Sequence, residues 1–405
     1  MNEIIDLLSE KKKVFAILPA AGTGERTGLK TPKQFCEIAG YPLILHSLWN
    51  FQRPWIAETV VAVSEDWLPY LQDLIKLYRI QNVHLVVGGQ TRHQSIKICV
   101  QYVRERVQNA RCNASDVIVI VHDAVRPFVA EETLQRIAEA AHKQGAAGVV
   151  CPLVSTTLAT REDGILDYSL VRSKHCNSHT PQAFSYQTIV TAYDKISKHD
   201  LDHGTEVLHL ALEYAGVRAK LLETKDEVWK VTYRRDICAA EQFARERLAR
   251  VAILSDQTGN DVIGVLEEQV KKKRLTLSSK CSSLTTLPSG VNAVIVIADA
   301  PPADQCSLDV AAVLERLKQQ LHPLKGSLIL LVTVPTEERM VRDDLMTRFR
   351  ELRLDERCRD ICVYCVILET KSSPVEKERM ERACELTANL VVRQDELMSG
   401  QTFIV

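Results

Sequence analysis

A short apolar segment, followed at once by small residues and two cations, constrains this chain more than any other stretch. Val14–Leu18 is a continuous apolar run that ends at Pro19, and such a run predicts a buried strand of a parallel sheet. The small residues Ala20–Gly24 let backbone N–H groups approach a ligand closely and hold an anion. Arg26 and Lys33 add positive charge just beyond them. The segment therefore predicts a binding site for a nucleoside triphosphate.

The alternative interpretation of this segment is an ordinary glycine-containing turn between a strand and a helix. Two familiar phosphate-binding motifs do not fit the segment. Gly22-Thr23-Gly24 begins a dinucleotide fingerprint, but Thr27 stands at its third glycine position, and no GxxxxGK[ST] sequence occurs. We favour the phosphate site because both cations lie on the same short connection.

Length and composition indicate a soluble globular protein. The chain of 405 residues suffices for two domains, and its 46% hydrophobic and 25% charged residues are ordinary proportions. A formal net charge of −1 gives no electrostatic reason to expect nucleic acid or membrane partners, and no apolar stretch has the length of a membrane span. The first residues lack a secretory core and are acidic for a transit peptide. We expect a cytosolic protein.

An alternation of short β-branched runs and helical stretches extends from Val14 to about Arg250. It predicts a parallel sheet with helices on both faces. Ligands of such sheets bind beyond the carboxyl ends of the strands. Three predicted strand ends carry polar residues, namely Pro19–Arg26, Gly88–Arg92 and His122–Pro127.

One segment, Ser155–Ser169, interrupts this alternation. Two β-prone runs flank Arg161–Gly164, and an Asp-Gly pair between such runs predicts a β-hairpin. The residues alone leave open whether the hairpin is a local excursion or an arm that reaches a second subunit.

The alternation begins again after about Arg250 and predicts a second, smaller α/β domain over residues 251–405. Its first turn, Asp256–Asn260, has one glycine and no fingerprint, and Ser278–Pro288 is predicted to be a loop. Because no group of titratable residues indicates a ligand there, we assign this domain a structural, dimerising or regulatory role.

The segment from Val14 to Tyr233 resembles the cytidylyltransferases that make 4-diphosphocytidyl-methylerythritol or CDP-ribitol. Five elements of that family recur in order. They are PAAGxGxR at Pro19–Arg26, PKQ at Pro32–Gln34, GGxxRxxS at Gly88–Ser95, HDAVRP (for HDAARP) at His122–Pro127, and TPQ at Thr180–Gln182. Trp229–Thr232 then matches the family element IKVT, and Gln90 stands where bacterial members usually carry an acid.

The resemblance implies a Rossmann-like nucleotidyltransferase domain over residues 1–250 and a protruding β-hairpin arm at about 155–180. In the family this arm exchanges between two protomers, so the resemblance implies a homodimer. It also implies that a phosphate oxygen of a polyol phosphate attacks the α-phosphorus of CTP in line and that pyrophosphate leaves. Both reactants are anions, so catalysis must come from holding them together and neutralising their charge.

The resemblance assigns residues to three roles. Those expected to bind CTP are Pro19, Ala20, Ala21, Gly22, Thr23, Gly24, Gly89, Gln90, Arg92, Ser95 and Ala124. Those expected to act in catalysis are Arg26 and Lys33 on the β,γ-phosphates, Lys230 on the α-phosphate, and Asp123 on Mg²⁺. Those expected to bind the acceptor are Arg126, Thr156, Arg172, Thr180 and Thr205. The alternative role of Asp123 is a cap of the following turn, but a carboxylate at a strand end that faces a polyphosphate is better explained as a support for Mg²⁺.

The acceptor is expected to be D-ribitol 5-phosphate, with 2-C-methyl-D-erythritol 4-phosphate as the alternative. The sequence HDAVRPF and the second α/β domain resemble the animal branch of the family, whose product CDP-ribitol serves protein O-mannosyl glycan synthesis. A different class, a non-catalytic nucleotide-binding scaffold, is less favoured because Lys33, Asp123 and Lys230 are all present.

Overall fold

The computed structural model describes residues 13–23, 28–29, 31–255, 261–281, 287–288, 290–299, 313–315, 317, 326–354, 361–370, 377–394 and 397–405. The chain divides into two compact units, Met1–Glu37 with Tyr41–Ile237, and Ile38–Gly40 with Cys238–Val405. Each unit contains its own mainly parallel sheet, and the predicted α/β fold class is confirmed. The predicted domain boundary at residue 250 stays a prediction.

The strands up to residue 237 are β1 (Lys13–Ala20), β2 (Glu37–Ile38), β3 (Tyr41–Pro42), β4 (Ile56–Val63), β5 (Val83–Val87), β6 (Val117–Val121), β7 (Ala146–Pro152), β8 (Leu158–Thr160), β9 (Leu166–Ser169), β10 (Cys176–Ser185) and β11 (Lys220–Glu223). The helices are α1 (Leu43–Asn50), α2 (Leu68–Leu77), α3 (Arg92–Asn109), α4 (Glu131–Gln144), α5 (Tyr186–Lys195), α6 (Lys198–His203) and α7 (Val207–Ala215).

The main sheet of the first unit has the order β11-β7-β10-β6-β1-β4-β5. β1 lies between β4 and β6 and is parallel to both. β10 is antiparallel to its two neighbours, β6 and β7, which the sequence pattern did not predict. The reason is that the chain leaves β7, forms the β8–β9 excursion and returns beside β7, and such a return needs no crossover helix.

The central strand β1 shows that helices cover both faces of this sheet. Val14, Ala16 and Leu18 belong to a core that includes residues of α1, α2 and α4. Phe15 and Ile17 belong to a second core that includes residues of α3, α5 and α7. Successive side chains of a strand point to opposite faces, so this division explains the unbroken apolar run in the sequence.

The predicted hairpin is present. β8 and β9 pair in antiparallel register, and the turn between them is closed by the Gly164 N–H, which donates to the Arg161 carbonyl at 2.9 Å. Gly164 has a φ of 80°, a value that glycine adopts without steric cost. Several large apolar side chains lie exposed on or beside the hairpin, among them Val154 at 84% and Tyr168 at 56%.

The second unit contains the strands β12 (Arg250–Ser255), β13 (Thr276–Cys281), β14 (Ala293–Asp299), β15 (Gly326–Pro335), β16 (Ile361–Thr370) and β17 (Thr402–Ile404). Its helices are α8 (Arg234–Leu248), in which the division at Ile237 falls, α9 (Asp261–Lys272), α10 (Arg339–Leu354) and α11 (Lys377–Arg393). The strands are parallel, in the order β13-β12-β14-β15-β16-β17.

Two expectations for this unit have different outcomes. The predicted loop at Ser278–Pro288 is wrong in its first part, because Ser279–Cys281 pair with β12 as an edge strand. The turn Asp256–Asn260 lies outside the described residues. Within the described ranges, no helix has the length and apolarity needed to cross a membrane.

Candidate active site

A cavity of about 710 Å³ lies beyond the carboxyl ends of β1, β5 and β6 in the first unit. It brings together most of the side chains that the sequence singled out. The predicted residues that line it are Pro19, Ala20, Ala21, Gly22, Thr23, Lys33, Gly89, Gln90, Arg92, Ser95, Asp123, Arg126, Thr180, Thr205 and Lys230. Its place at the strand ends agrees with the general rule for parallel α/β sheets.

The other five predicted residues comprise two that the structure does not describe and three described residues that do not line the cavity. Gly24 and Arg26 lie outside the described residues. Ala124 is 1% exposed and turns its backbone carbonyl toward Ser47, whose hydroxyl donates to it at 2.9 Å. Thr156 and Arg172 are exposed beside the hairpin and do not line this cavity.

Asp123 is the centre of an ion cluster in the cavity. Its Oδ1 accepts a hydrogen bond from Arg92 Nε at 3.0 Å. Its Oδ2 lies 3.0 Å from Arg126 Nε and 3.1 Å from Lys230 Nζ. The carboxylate side chain is only 6% exposed, whereas that of Lys230 is 31% exposed and can reach a ligand. The carboxylate therefore brings together three cations, of which Arg92 and Lys230 are distant from it in the sequence and Arg126 is three residues away.

The charge state of Asp123 follows from these contacts. Burial alone would raise the pKa of this carboxyl, but the positive charges of Arg92, Lys230 and Arg126 hold the pKa well below its usual value. Asp123 is therefore a carboxylate at neutral pH. The excess of cations over carboxylates in the lining makes the cavity a site for phosphate groups.

Arg126 is held so that one side of its guanidinium stays available. Besides its Nε contact to Asp123, its Nη1 lies 2.6 Å from the Val228 carbonyl and 2.7 Å from His179 Nδ1. Its Nη2 makes no hydrogen bond with any described residue. Two N–H groups on a fixed plane are suited to phosphate oxygens.

Gln34 supports the loop after β1, a role that the sequence did not reveal. Its side chain is 2% exposed and its Nε2 donates to the Ala20 carbonyl at 2.7 Å and to the Gly22 carbonyl at 2.9 Å. These bonds hold the small residues of the loop in place. The neighbouring Lys33 lines the cavity on the same short turn.

The glycine pair after β5 allows a close approach to this loop. A Cβ atom on Gly88 would lie 2.5 Å from the Ala21 Cβ, and one on Gly89 would lie 2.4 Å from the Gln94 Cβ. Neither distance is tolerable, so both residues must be glycine. Thr91 then caps α3 by accepting from the Gln94 N–H at 3.2 Å, and α3 presents Arg92 and Ser95 to the cavity.

An irregularity in β10 directs further side chains into the cavity. The pairing of β10 with β7 shifts between Ser178 and Gln182, and the residues between them are left out of the ladder. Ser178, His179, Thr180 and Gln182 all line the cavity, and of these the sequence predicted only Thr180. The others flank the matched TPQ element, and that proximity was the available signal. Glu206, which accepts from Gln182 Nε2 at 2.8 Å, lines the cavity as well.

The site fits a magnesium ion that is held by one protein carboxylate. No group of three or more His, Cys, Asp or Glu side chains that could hold a metal occurs in the described part of the chain. Mg²⁺ bound with a nucleotide needs only one or two carboxylates beside phosphate oxygens. Asp123 Oδ1 accepts one hydrogen bond, from Arg92, so this oxygen keeps a lone pair for such an ion.

Comparisons with known proteins identify the family of this chain. Residues 14–246 match the profile of the 2-C-methyl-D-erythritol 4-phosphate cytidylyltransferase family. The D-ribitol-5-phosphate cytidylyltransferase of Xenopus tropicalis is 43% identical over 286 residues, which cover 69% of this chain and 70% of that protein. The human D-ribitol-5-phosphate cytidylyltransferase is 43% identical over 265 residues, 65% of this chain and 58% of its own length.

A solved structure, that of the 4-diphosphocytidyl-2C-methyl-D-erythritol synthase of Anaerococcus prevotii, is 22% identical and superposes with a TM-score of 0.48 over 60% of this chain and 100% of its own. The family profile covers more than half of the chain, and the Xenopus relative is matched over more than two thirds of its length. The chain belongs to the 2-C-methyl-D-erythritol 4-phosphate cytidylyltransferase family and is a nucleotidyltransferase.

Proposed function

We propose that this chain transfers the cytidylyl group of CTP to D-ribitol 5-phosphate and releases CDP-ribitol and pyrophosphate. The observation that carries the transfer is the cluster of Arg92, Arg126 and Lys230 around Asp123 in the cavity. What supports ribitol phosphate as the acceptor is the activity for which two relatives, each 43% identical to this chain, are named. We further propose that the product serves protein O-mannosyl glycan synthesis.

The positions of the described cations in the cavity suggest which phosphate group each of them binds. Lys33 follows the loop after β1, and with Arg26 it would bind the β- and γ-phosphates. Lys230, the most exposed of the three partners of Asp123, would bind the α-phosphate. Arg126, with two N–H groups left for a ligand, would bind the phosphate of the acceptor with Thr180 and Thr205 nearby.

In the reaction, an acceptor phosphate oxygen attacks the α-phosphorus while pyrophosphate departs on the opposite side. The nucleophile is already deprotonated at neutral pH, so no side chain has to remove a proton. The cations hold two anions together and neutralise the charge that grows on the bridging oxygen. Mg²⁺, when bound, supplies further neutralisation of the phosphates, and we propose that Asp123 is its protein ligand.

The experiment that tests this function measures pyrophosphate release from CTP by the purified full-length chain. D-ribitol 5-phosphate and 2-C-methyl-D-erythritol 4-phosphate are supplied in turn. We expect kcat/KM to be highest with ribitol 5-phosphate. A preference for methylerythritol phosphate would establish the alternative acceptor, and CTP binding without pyrophosphate release from either would establish a non-catalytic nucleotide-binding protein.

We propose that the hairpin, with its exposed apolar side chains, reaches the active site of a second subunit in a homodimer. Two observations support this. Arg172 donates from its Nη1 to the Val154 carbonyl at 3.0 Å, so it is anchored to the base of the hairpin. Thr156 and Arg172 do not line the cavity of their own subunit, although the family resemblance assigns both to the acceptor.

This arrangement predicts complementation between two inactive variants. In a mixed dimer of Lys33→Ala and Arg172→Ala, one of the two sites receives wild-type residues from both subunits, so activity should return to a large fraction of one wild-type site. The matched control mixes Lys33→Ala with Asp123→Asn, two changes within the cavity of one subunit, and should recover nothing. Equal behaviour of both mixtures after demonstrated subunit exchange would mean that Arg172 serves its own subunit.

We place the enzyme in the cytosol, because the described cysteines are all free thiols, as is usual where disulfides do not persist. For the domain over residues 251–405 we propose a structural, dimerising or regulatory role. Among its described residues there is no metal-binding group that would give it a chemistry of its own.

A further inference from the structure

His179 lies on the wall of the cavity in a geometry that fixes its proton. Its Nδ1 is 2.7 Å from Arg126 Nη1. A guanidinium has only donors, so Nδ1 must be the acceptor of this bond. In the neutral imidazole the single proton is then on Nε2, and Nε2 makes no hydrogen bond with a described residue.

The surroundings keep this ring neutral. Burial lowers the pKa of His179, and the positive charge of Arg126 lowers it further, while Asp123 raises it. These are the charged groups that act on the ring, and the result is a pKa below the usual histidine value. At neutral pH His179 is therefore an uncharged donor with a fixed direction.

The chemistry of the acceptor calls for such a donor. A polyol phosphate has one anionic end, which the cations of the cavity can bind, and a row of uncharged hydroxyl groups. Neutral polar side chains gather on the β10 side of the cavity, where Ser178, His179, Thr180 and Gln182 lie. Gln182 already donates to Glu206 Oε1, and Thr180 Oγ1 accepts from the Asp123 N–H at 3.1 Å. Hydroxyl groups rotate, whereas the imidazole is held by Arg126, so its N–H has a single direction.

We propose that His179 is a specificity-determining residue that donates its Nε2–H to a hydroxyl group of the acceptor polyol, beside the phosphate held by Arg126. This inference rests on the proposed function and names the residue that reads the uncharged part of the acceptor. It also explains the Arg126–His179 contact. This one hydrogen bond orients both the side chain that binds the acceptor phosphate and the side chain that binds the acceptor hydroxyl group.

Two substitutions of His179 distinguish the role of Nδ1 as an acceptor from the role of Nε2 as a donor. His179→Asn places an amide oxygen near the position of Nδ1, so it can still accept from Arg126, but it offers no donor at the position of Nε2. His179→Gln places an amide N–H near the position of Nε2 and gives up the Nδ1 acceptor. Both are measured by steady-state pyrophosphate release, and KM does not depend on the fraction of enzyme that is active.

We expect His179→Asn to raise KM for D-ribitol 5-phosphate about fivefold to tenfold, the scale of one lost hydrogen bond, with KM for CTP unchanged. His179→Gln should raise it less. If His179→Asn keeps the wild-type KM for the acceptor, the ring acts only by holding Arg126 and the proposal is wrong. An equal rise in KM for CTP would likewise contradict it.

Acceptors that lack one hydroxyl group provide the closing test. For the monodeoxy-D-ribitol 5-phosphate that lacks the partner of Nε2, the wild type should lose about fivefold in kcat/KM and His179→Asn should lose nothing further. If every monodeoxy acceptor lowers kcat/KM of the variant by the same factor as kcat/KM of the wild type, His179 contacts no hydroxyl group of the acceptor. Wild-type turnover of D-ribitol 5-phosphate tests the proposed function separately. If the wild type turns over a different polyol phosphate, the monodeoxy forms of that compound test the role of His179.

Discussion

Replacing Lys33 by alanine should lower kcat for cytidylyl transfer by about a hundredfold or more and change KM for CTP much less. Lys33 lines the cavity beside the loop after β1, where the pyrophosphate leaving group must lie if the loop holds the phosphates. The negative charge on that group grows as the bond to the α-phosphorus breaks. A cation that is already in place therefore stabilises the transition state more than it stabilises bound CTP.

The structure explains why this lysine is pre-positioned. It lies on a short turn with Gln34 and Phe35. Gln34 is bonded to two carbonyls of the phosphate loop, and the Phe35 ring stacks on Trp67 with a centroid distance of 4.5 Å. Both neighbours of the turn are thus buried and fixed, and little reorganisation is needed when the charge develops.

The control for this prediction is Lys195→Ala, which removes an exposed lysine at the end of α5, outside the cavity lining. It should leave both kcat and KM as they are in the wild type. A Lys33→Ala enzyme with nearly normal kcat and a strongly raised KM for CTP would show that Lys33 contributes to ground-state binding alone.

Much of the first unit could be predicted from the sequence because its central strands, such as β1 and β6, are buried on both faces. The unbroken apolar run of β1 and the alternation with amphipathic helices left few other folds open. The antiparallel direction of β10 could not be predicted, since it depends on where the hairpin returns the chain and not on the residues of the strand. β13 was missed because its sequence, TLSSKC, lacks a β-branched run, and an edge strand needs only one neighbour.

The location of the site could also be predicted, because polar residues at neighbouring strand ends must meet at one edge of the sheet. Its internal contacts could not. The partners of Asp123 are Arg92, Arg126 and Lys230, and only the folded chain shows that all three contact the same carboxylate. Gln34 and His179 were missed for the same reason, as the carbonyls and the guanidinium that they contact are distant in the sequence.

Replacing Asp123 by asparagine should remove most of the activity and shift the magnesium dependence. The amide keeps the shape of the side chain and one acceptor oxygen, but it removes the charge that a Mg²⁺ ligand needs. The magnesium concentration that gives half-maximal activity should rise severalfold, and kcat at saturating magnesium should fall by about a hundredfold. A magnesium titration that overlays the wild type would show that Asp123 is not a metal ligand.

The same substitution should also destabilise the protein, because it leaves Arg92, Arg126 and Lys230 facing each other without a counter-charge. Removing one partner of a buried ion pair costs on the order of 3 kcal/mol in the free energy of unfolding. The matched control is Asp194→Asn, which breaks an ion pair with Arg104 at the surface, where the Asp194 side chain is 54% exposed. That change should alter the free energy of unfolding by about 0.5 kcal/mol or less.

The pH dependence of this difference identifies its origin. The pKa of Asp123 is held below its usual value in the folded protein, so the carboxylate stabilises the fold at every pH above its pKa in the unfolded chain. That stabilisation is lost progressively as the pH falls from the pKa of the unfolded chain through the lowered pKa of the folded state. The free energies of unfolding of the wild type and of Asp123→Asn, measured by thermal unfolding, should therefore differ by a constant amount from neutral pH down to about pH 4. Below that pH the difference should disappear. If the difference instead stays constant into strong acid, the loss of stability comes from the shape or hydrogen bonding of the amide, and the three cations do not depend on the charge of Asp123.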